Sequence, residues 1–446
     1  MIKQIQHIIP TAFHKYLQNI SWLLFEKVLR VVETFFIGIW LARHFGPEEF
    51  GVFSYAQAFV FLFTAIAALG LDQIVVRQLV KTPEKHSEIM GTTLALRLVG
   101  FLGMLVLLSL SLFWLKPGTV ELKLILILTL AVLFQVFNGI DFYFQSIVKS
   151  KYTAYANAIA ISVGATLKVY AILNNKPLEF IAWAYCIEAF CMAFGYGLFY
   201  ILKKNVFTQW RVSTKLAKAL LSKSWPLIVG AFAISVYMKI DQVMIKEIQG
   251  DYEVGLYSVA VKACSIWLFV TMVITQSFFP NLVATRKKSV KLFLMRLQAL
   301  NNALMKIAIS IAILYTIFAK QIILLFFGQA YQESASVLIL YVWSIVWVYL
   351  NNAAWGFYLN EGLEKFSSLR LVLGAVLNIV LNLIFIKKFG LLGAAYATLI
   401  SYAFSAYLVN LCFSKTRKYF FIQSKALLNY FVPATWRNPF LIQYQE

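Results

Sequence analysis

From residue 18 to residue 413 the chain is a succession of apolar runs, each about the 20 residues that carry a helix across a bilayer. The runs are continuous rather than alternating, which argues against the strands of a membrane barrel. They fall at 18–41, 53–76, 91–114, 122–147, 154–173 and 179–202, and again at 226–246, 254–279, 303–327, 335–359, 369–386 and 391–413. Helix-breaking clusters separate many of them: Gly46-Pro47-Glu48-Glu49, Lys116-Pro117-Gly118, Asn174-Asn175-Lys176-Pro177 and Gly328-Gln329. Composition agrees, with 61% apolar residues against 13% charged. A soluble domain needs roughly a quarter charged residues to cover its surface. The expectation is an all-α polytopic membrane protein of about twelve transmembrane helices.

A formal net charge of +21 would suggest nucleic acid in a soluble chain. Here the basic residues sort by loop. With the N-terminus in the cytoplasm, the outside loops hold Arg43, Lys116, Lys123, Lys176, Lys246, Lys320, Lys387 and Lys388. The inside segments hold roughly three times as many, the bias that fixes orientation. Anionic lipid accounts for the positive charge, so the bilayer is an expected partner and nucleic acid is not. Cys186, Cys191, Cys264 and Cys412 lie in apolar runs as small hydrophobes, without the spacing of a metal site. No motif for a cofactor, ATP hydrolysis or covalent catalysis is present, and an enzyme is not expected. The first residues lack a signal-peptide core, so the first apolar helix is expected to remain as an anchor.

Self-similarity organises the runs. Glu49-Phe50-Gly51-Val52-Phe53-Ser54-Tyr55-Ala56 matches Glu253-Val254-Gly255-Leu256-Tyr257-Ser258-Val259-Ala260. Lys151-Tyr152 then pairs with Lys365-Phe366, and Ala182-Trp183-Ala184-Tyr185 with Gly393-Ala394-Ala395-Tyr396. Three matches in one order imply a parallel repeat of two six-helix lobes, residues 1–202 and 225–414. Between them lies a basic cytoplasmic linker, 203–224, whose Thr214–Ser224 reads as an interfacial helix, as does Arg286–Leu297. Residues 415–446 form a basic, aromatic tail expected at the cytoplasmic surface.

The segment Phe45-Gly46-Pro47-Glu48-Glu49-Phe50-Gly51-Val52-Phe53-Ser54, followed by Leu69-Gly70-Leu71-Asp72 and Arg77, resembles the N-terminal signature of the Wzx-type polysaccharide flippases. In the second half Asp241, Gly255-Leu256-Tyr257-Ser258, Lys262 and Pro280 agree with it. These proteins belong to the multidrug/oligosaccharidyl-lipid/polysaccharide exporter superfamily. The resemblance covers residues 15–414 and implies two six-helix bundles around a V-shaped cavity. It implies a flippase that carries an undecaprenyl-pyrophosphate-linked repeat unit of O-antigen or capsule across a bacterial inner membrane. The polymerase of the same pathway would be a partner. A cation-coupled drug antiporter of the same superfamily is the alternative.

Ionisable residues inside spans are costly, roughly 2.5–3.5 kcal/mol each at the centre, and mark a cavity, an ion pair or a helix end. Arg30, Lys27, Lys239, Lys262 and Arg97 are the candidate cations for an anionic head group, because Arg and Lys suit phosphate oxygens. Asp241, Glu26, Glu33, Asp141 and Glu188 are the candidates for ion or proton coupling. Structural readings stand beside these. Glu26, Arg30 and Glu33 share a helix face and can neutralise one another, Lys262 can pair with Asp241, and Arg97, Lys168 and Lys306 can snorkel.

The basic bias sets a topology that reporter fusions read directly. Fusions after Lys203 and at the C-terminus should report cytoplasm and one at Asn175 the far side. A far-side signal at Lys203 would overturn the division into six and six.

Overall fold

The computed structural model describes residues 11–432, with side chains described from Ser21 onward except Leu23. Among the described residues there is no strand. Helices are what a low-dielectric solvent permits, because each satisfies its own backbone donors and acceptors. Within the described residues, ten helical stretches are long and apolar enough to cross a membrane, and exposed Val99, Phe113, Trp114, Phe194 and Leu325 give them apolar outer faces. The protein is a multi-pass membrane protein.

In chain order the helices are α1 (Thr11–Ala68), α2 (Asp72–Lys81), α3 (His86–Leu115), α4 (Thr119–Gln135), α5 (Gly139–Ser146), α6 (Lys151–Leu173) and α7 (Leu178–Leu202). There follow α8 (Thr214–Gln249), α9 (Asp251–Lys288), α10 (Val290–Phe327), α11 (Ser334–Tyr341), α12 (Ser344–Asn360), α13 (Glu364–Ala403), α14 (Val409–Cys412) and α15 (Ser414–Leu428). Two of these are broken inside. Gly46 in α1 and Gly390 in α13 have φ of 72° and 61°, a left-handed conformation that glycine adopts without a Cβ penalty. Both breaks fall where the apolar pattern ends one span and starts another. Other spans depart from the pattern. The run at 53–76 ends as helix at Ala68, where Leu69 and Gly70 both take positive φ, and α2 is a separate short helix. The runs at 122–147 and 335–359 are each interrupted, by a 3-10 turn at Val136–Asn138 and by Val342-Trp343.

The chain divides into two compact units, one of Met1–Leu41 with Ala56–Ser235, the other of Ala42–Tyr55 with Val236–Glu446. In the first, Leu71, just before α2, and Val75 and Leu79 of α2 pack with Ile89, Met90, Phe144, Tyr200 and Leu220. That packing changes the reading of Thr214–Ser224. It is the first part of α8, and its Leu216, Ala217, Leu220 and Leu221 cover the α2–α3 core instead of lipid. Nor is Arg286–Leu297 one interfacial helix. It spans the junction of α9 and α10, where the Ser289 hydroxyl caps α10 by accepting from the Leu292 N–H. Phe293 and Leu297 are fully buried. The tail as far as Val432 is folded as well: in α15 the Tyr419 hydroxyl donates to Asn301 Oδ1 and Gln423 Nε2 to the Ala406 carbonyl. Residues 433–446, with Pro433 and Pro439, lie outside the described residues.

Within the second unit the two repeat-matched glycines meet. A Cβ on Gly51 would stand 1.8 Å from the Asp251 carbonyl oxygen, and one on Gly255 would stand 1.9 Å from the Pro47 carbonyl oxygen. Each glycine therefore faces the residue one turn before the other, the reciprocal geometry expected of equivalent positions. Backbones this close require both residues to lack a side chain, as in small-residue helix crossings in membranes. Gly51→Ala and Gly255→Ala should each destabilise the protein by about 1–3 kcal/mol, read as a lower melting temperature in detergent. Gly103, with nothing within 4 Å of its Cβ position, should tolerate Ala and is the control. Unequal tolerance of the two glycines would count against their equivalence.

Candidate functional site

Among the described residues, most of the ionisable groups nominated from the sequence fall in three polar clusters. The first joins α1, α6 and α7. Lys168 has no exposed surface, and its Nζ donates to Glu33 Oε1 at 2.7 Å and to Glu188 Oε2 at 2.8 Å. The ammonium also lies 3.6 Å from the centre of the Tyr185 ring, a cation–π contact. Arg30 continues the chain of charges, with Nη1 3.3 Å from Glu188 Oε1 and Nε 3.6 Å from Glu26 Oε1. Its side chain is 42% exposed, so part of the guanidinium fork remains presented. The self-neutralising face read from sequence is thus half right. Arg30 does pair with Glu26, but Glu33 turns to Lys168, and Lys168 bridges two carboxylates where snorkelling was the expectation.

The second cluster lines a cavity of about 410 Å3 in the same unit. Arg97, 5% exposed, donates from Nη2 to Asp72 Oδ1 at 2.7 Å and from Nη1 to the Gln135 carbonyl at 3.0 Å. Gln135 ends α4, so Arg97 meets a carbonyl at the helix break that the following 3-10 turn creates. The side chain is drawn inward and does not snorkel. Asp141 accepts from Gln145 Nε2 at 2.7 Å. Arg97 Nε, Asn138 Oδ1 and Asp141 Oδ1 are buried without a hydrogen-bond partner.

The third cluster belongs to the second unit. Asp241, 4% exposed, accepts from the Tyr257 hydroxyl at 2.7 Å, from Asn382 Nδ2 at 2.7 Å and from the Thr398 hydroxyl. These partners are all neutral, so the Lys262 pairing weighed from sequence is not what meets this carboxylate. Lys262 instead stands 5.9 Å from the Phe50 ring centre. Lys239, two residues before Asp241, donates to Gln242 Oε1 at 3.3 Å, and Gln242 donates to Ser258. Near Asp241, one turn before Asn382, Asn378 has both amide atoms buried and unpartnered, as are Asn382 Oδ1 and the Ser401 hydroxyl.

The nominated residues therefore separate. Glu26, Arg30, Glu33 and Glu188 come together around Lys168, Arg97 and Asp141 share a cavity, and Asp241 sits with neutral donors. Lys27 is half-buried on α1. Sequence reasoning passed over Asn378, Asn382 and Thr398 because it ranked ionisable groups alone. Two asparagines one turn apart inside an apolar run were the signal available.

Residues 16–286 match the family described as polysaccharide biosynthesis protein. The chain belongs to that family. An uncharacterized membrane protein of Methanocaldococcus jannaschii is 22% identical over 423 residues, covering 87% of this chain and 82% of the relative. Among solved structures, the fold is similar to the lipid II flippase MurJ in an inward closed conformation (TM-score 0.65, 15% identity, 93% of this chain and 92% of that one). It is also similar to an inward-facing multidrug resistance MATE family transporter of the MOP superfamily (TM-score 0.64, 14% identity, 88% and 96%). At these identities the likeness is one of fold alone.

Lys168 gives this site its sharpest test. Lys168→Met should leave Glu33 and Glu188 buried beside each other and cost about 3–5 kcal/mol. The expected readout is a marked fall in melting temperature, partly recovered when Glu33→Gln is added. A single variant as stable as the parent would show that the bridge does not hold these helices.

Proposed function

We propose that the protein is a flippase for a polyprenyl-pyrophosphate-linked oligosaccharide, moving the repeat unit of an O-antigen, capsule or similar glycan from the cytoplasmic to the periplasmic leaflet of a bacterial inner membrane by alternating access. Membership of the polysaccharide biosynthesis family over residues 16–286 is the observation that carries this reading. The lipid II flippase MurJ supports it through shared fold. Both termini would be cytoplasmic, and the pathway's polymerase would be a partner.

Arg30 is the residue assigned to the anionic head group. Glu26 and Glu188 hold its guanidinium in place while part of it stays exposed, an arrangement that orients a fork toward phosphate oxygens. Lys27 is the further cation on the same helix, Lys239 and Lys262 are the candidates of the second unit taken by itself, and Arg97 is already engaged by Asp72 and the Gln135 carbonyl. Coupling to a proton or monovalent cation is assigned to Asp241. A buried carboxylate met only by hydroxyl and amide groups, with unpartnered oxygens on Asn378, Asn382 and Ser401 nearby, can exchange a cation without breaking an ion pair. The same feature would serve a cation-coupled antiporter, which is the second reading.

Reconstituted vesicles separate the two. Protection of a polyprenyl-pyrophosphate oligosaccharide from external glycosidase should depend on the protein and fall about tenfold or more in Arg30→Ala. Arg30→Lys should retain part of the activity, and Asp241→Asn should remove its dependence on the ion gradient. If Arg30→Ala with Glu26→Gln restores full transport, Arg30 serves only to neutralise Glu26. Gradient-driven uptake of an organic cation with no movement of the lipid would favour the antiporter.

A further inference from the structure

We propose that the cavity around Arg97 and Asp141 is a subsite for one neutral sugar residue of the translocated glycan. The proposal rests on the flippase reading and names a part of the substrate that this reading leaves without a place. The cavity, about 410 Å3, falls within the roughly 300–1,000 Å3 of small-molecule sites. Its mouth is formed by exposed Asp72, Gln73 and Arg77, and Asp72 is 61% exposed while holding Arg97. Its lining includes Arg97, Asn138 and Asp141, where one donor, Arg97 Nε, and two acceptors, Asn138 Oδ1 and Asp141 Oδ1, are buried without partners.

Charge decides the ligand class. Arg77 and Arg97 balance Asp72 and Asp141 on the lining, so the cavity carries no net charge to attract a phosphate or an ammonium ion. An anion brought to Arg97 would also meet the unpaired oxygen of Asp141, and a cation brought to Asp141 would meet Arg97. A group that both donates and accepts suits a lining of this mixed kind, and the vicinal hydroxyls of a sugar ring do both. Burial makes the match selective, because each of these polar atoms left unpaired beside a bound ligand is costly. A second cavity, about 310 Å3, shares Asp72, Arg97 and Asn138 with the first and continues toward Thr64 and Ser235. The Arg97–Asp72 pair therefore stands between two polar spaces, with room for a neighbouring sugar on its other side.

The test uses the full chain in nanodiscs and two probes, a bare short-chain polyprenyl pyrophosphate and the same lipid bearing one hexose. The parent protein should bind the glycosylated lipid about tenfold more tightly. Asp141→Asn and Asn138→Leu, each confirmed monodisperse, should bring that ratio close to one. A ratio kept in both folded variants, or equal binding of the two lipids by the parent, would overturn the sugar subsite and leave the flippase reading standing. A parent that binds neither lipid would instead remove the flippase reading. Loss of affinity for both lipids in equal proportion would mark the cavity as a structural support and likewise overturn the proposal.

Discussion

An ammonium ion with no exposed surface has to be neutralised where it stands, because leaving it unpaired in a low-dielectric interior costs more than most folds can supply. Lys168 meets that requirement from two sides, through Glu33 on α1 and Glu188 on α7. The three helices are thereby fixed in register by charge as well as by packing. Between hydrocarbon-covered helices, packing alone offers little preference for one register over the next. Arg30 then follows from Glu188: a guanidinium one turn before Glu33 is drawn to the carboxylate that Lys168 already positions. Glu26, Arg30 and Glu33, three charges on one face of α1 in sequence, are the edge of one ion network centred on α6.

The second unit solves the same geometric problem with different chemistry. Lys168 stands as far beyond Lys151 as Asn382 stands beyond Lys365, so the repeat places an asparagine where the first unit has its ammonium. That asparagine also donates to a carboxylate contributed by the first long helix of its unit, Asp241. In the first unit the carboxylates are met by a cation that is part of the chain and cannot leave. In the second they are met by Tyr257, Thr398 and Asn382, which carry no charge. Only the second arrangement leaves the carboxylate's charge to be balanced by something mobile. This contrast is what directs the coupling proposal to Asp241 and not to Glu33.

Much of the architecture was legible because the membrane forces it into the sequence. Apolar runs had to become helices, and the Gly51 and Gly255 octads marked a crossing where side chains are forbidden. Three things were less visible. The turn at Leu69-Gly70 lies within an apolar run, so hydropathy carried the span through it. The ends of α8 and α10 looked interfacial because their amphipathic faces do not say whether lipid or protein covers them, and the structure covers Leu220, Phe293 and Leu297 with protein. Partners were hardest to read: Arg97 and Asp72, or Lys168 and Glu33, lie far apart in the chain and are joined only by the fold.

The breaks at 136–138 and 342–343 connect fold to site. Both interrupt the fourth apolar run of their half, and a break inside a membrane helix frees backbone groups that lipid cannot satisfy. In the first unit a carbonyl at the break, that of Gln135, is taken up by Arg97, and the same arginine holds Asp72 just past the Leu69-Gly70 turn. At the second break the backbone closes on itself, through Trp343 N–H to the Leu340 carbonyl and Ile345 N–H to the Val342 carbonyl. The buried arginine is tolerated in turn because a helix end and a carboxylate receive its hydrogens. The opened helix also leaves the space that Asn138 and Asp141 line. Cavity, cation and broken helix are therefore one device, and removing Arg97 would take away the donor that allows α4 to end where it does.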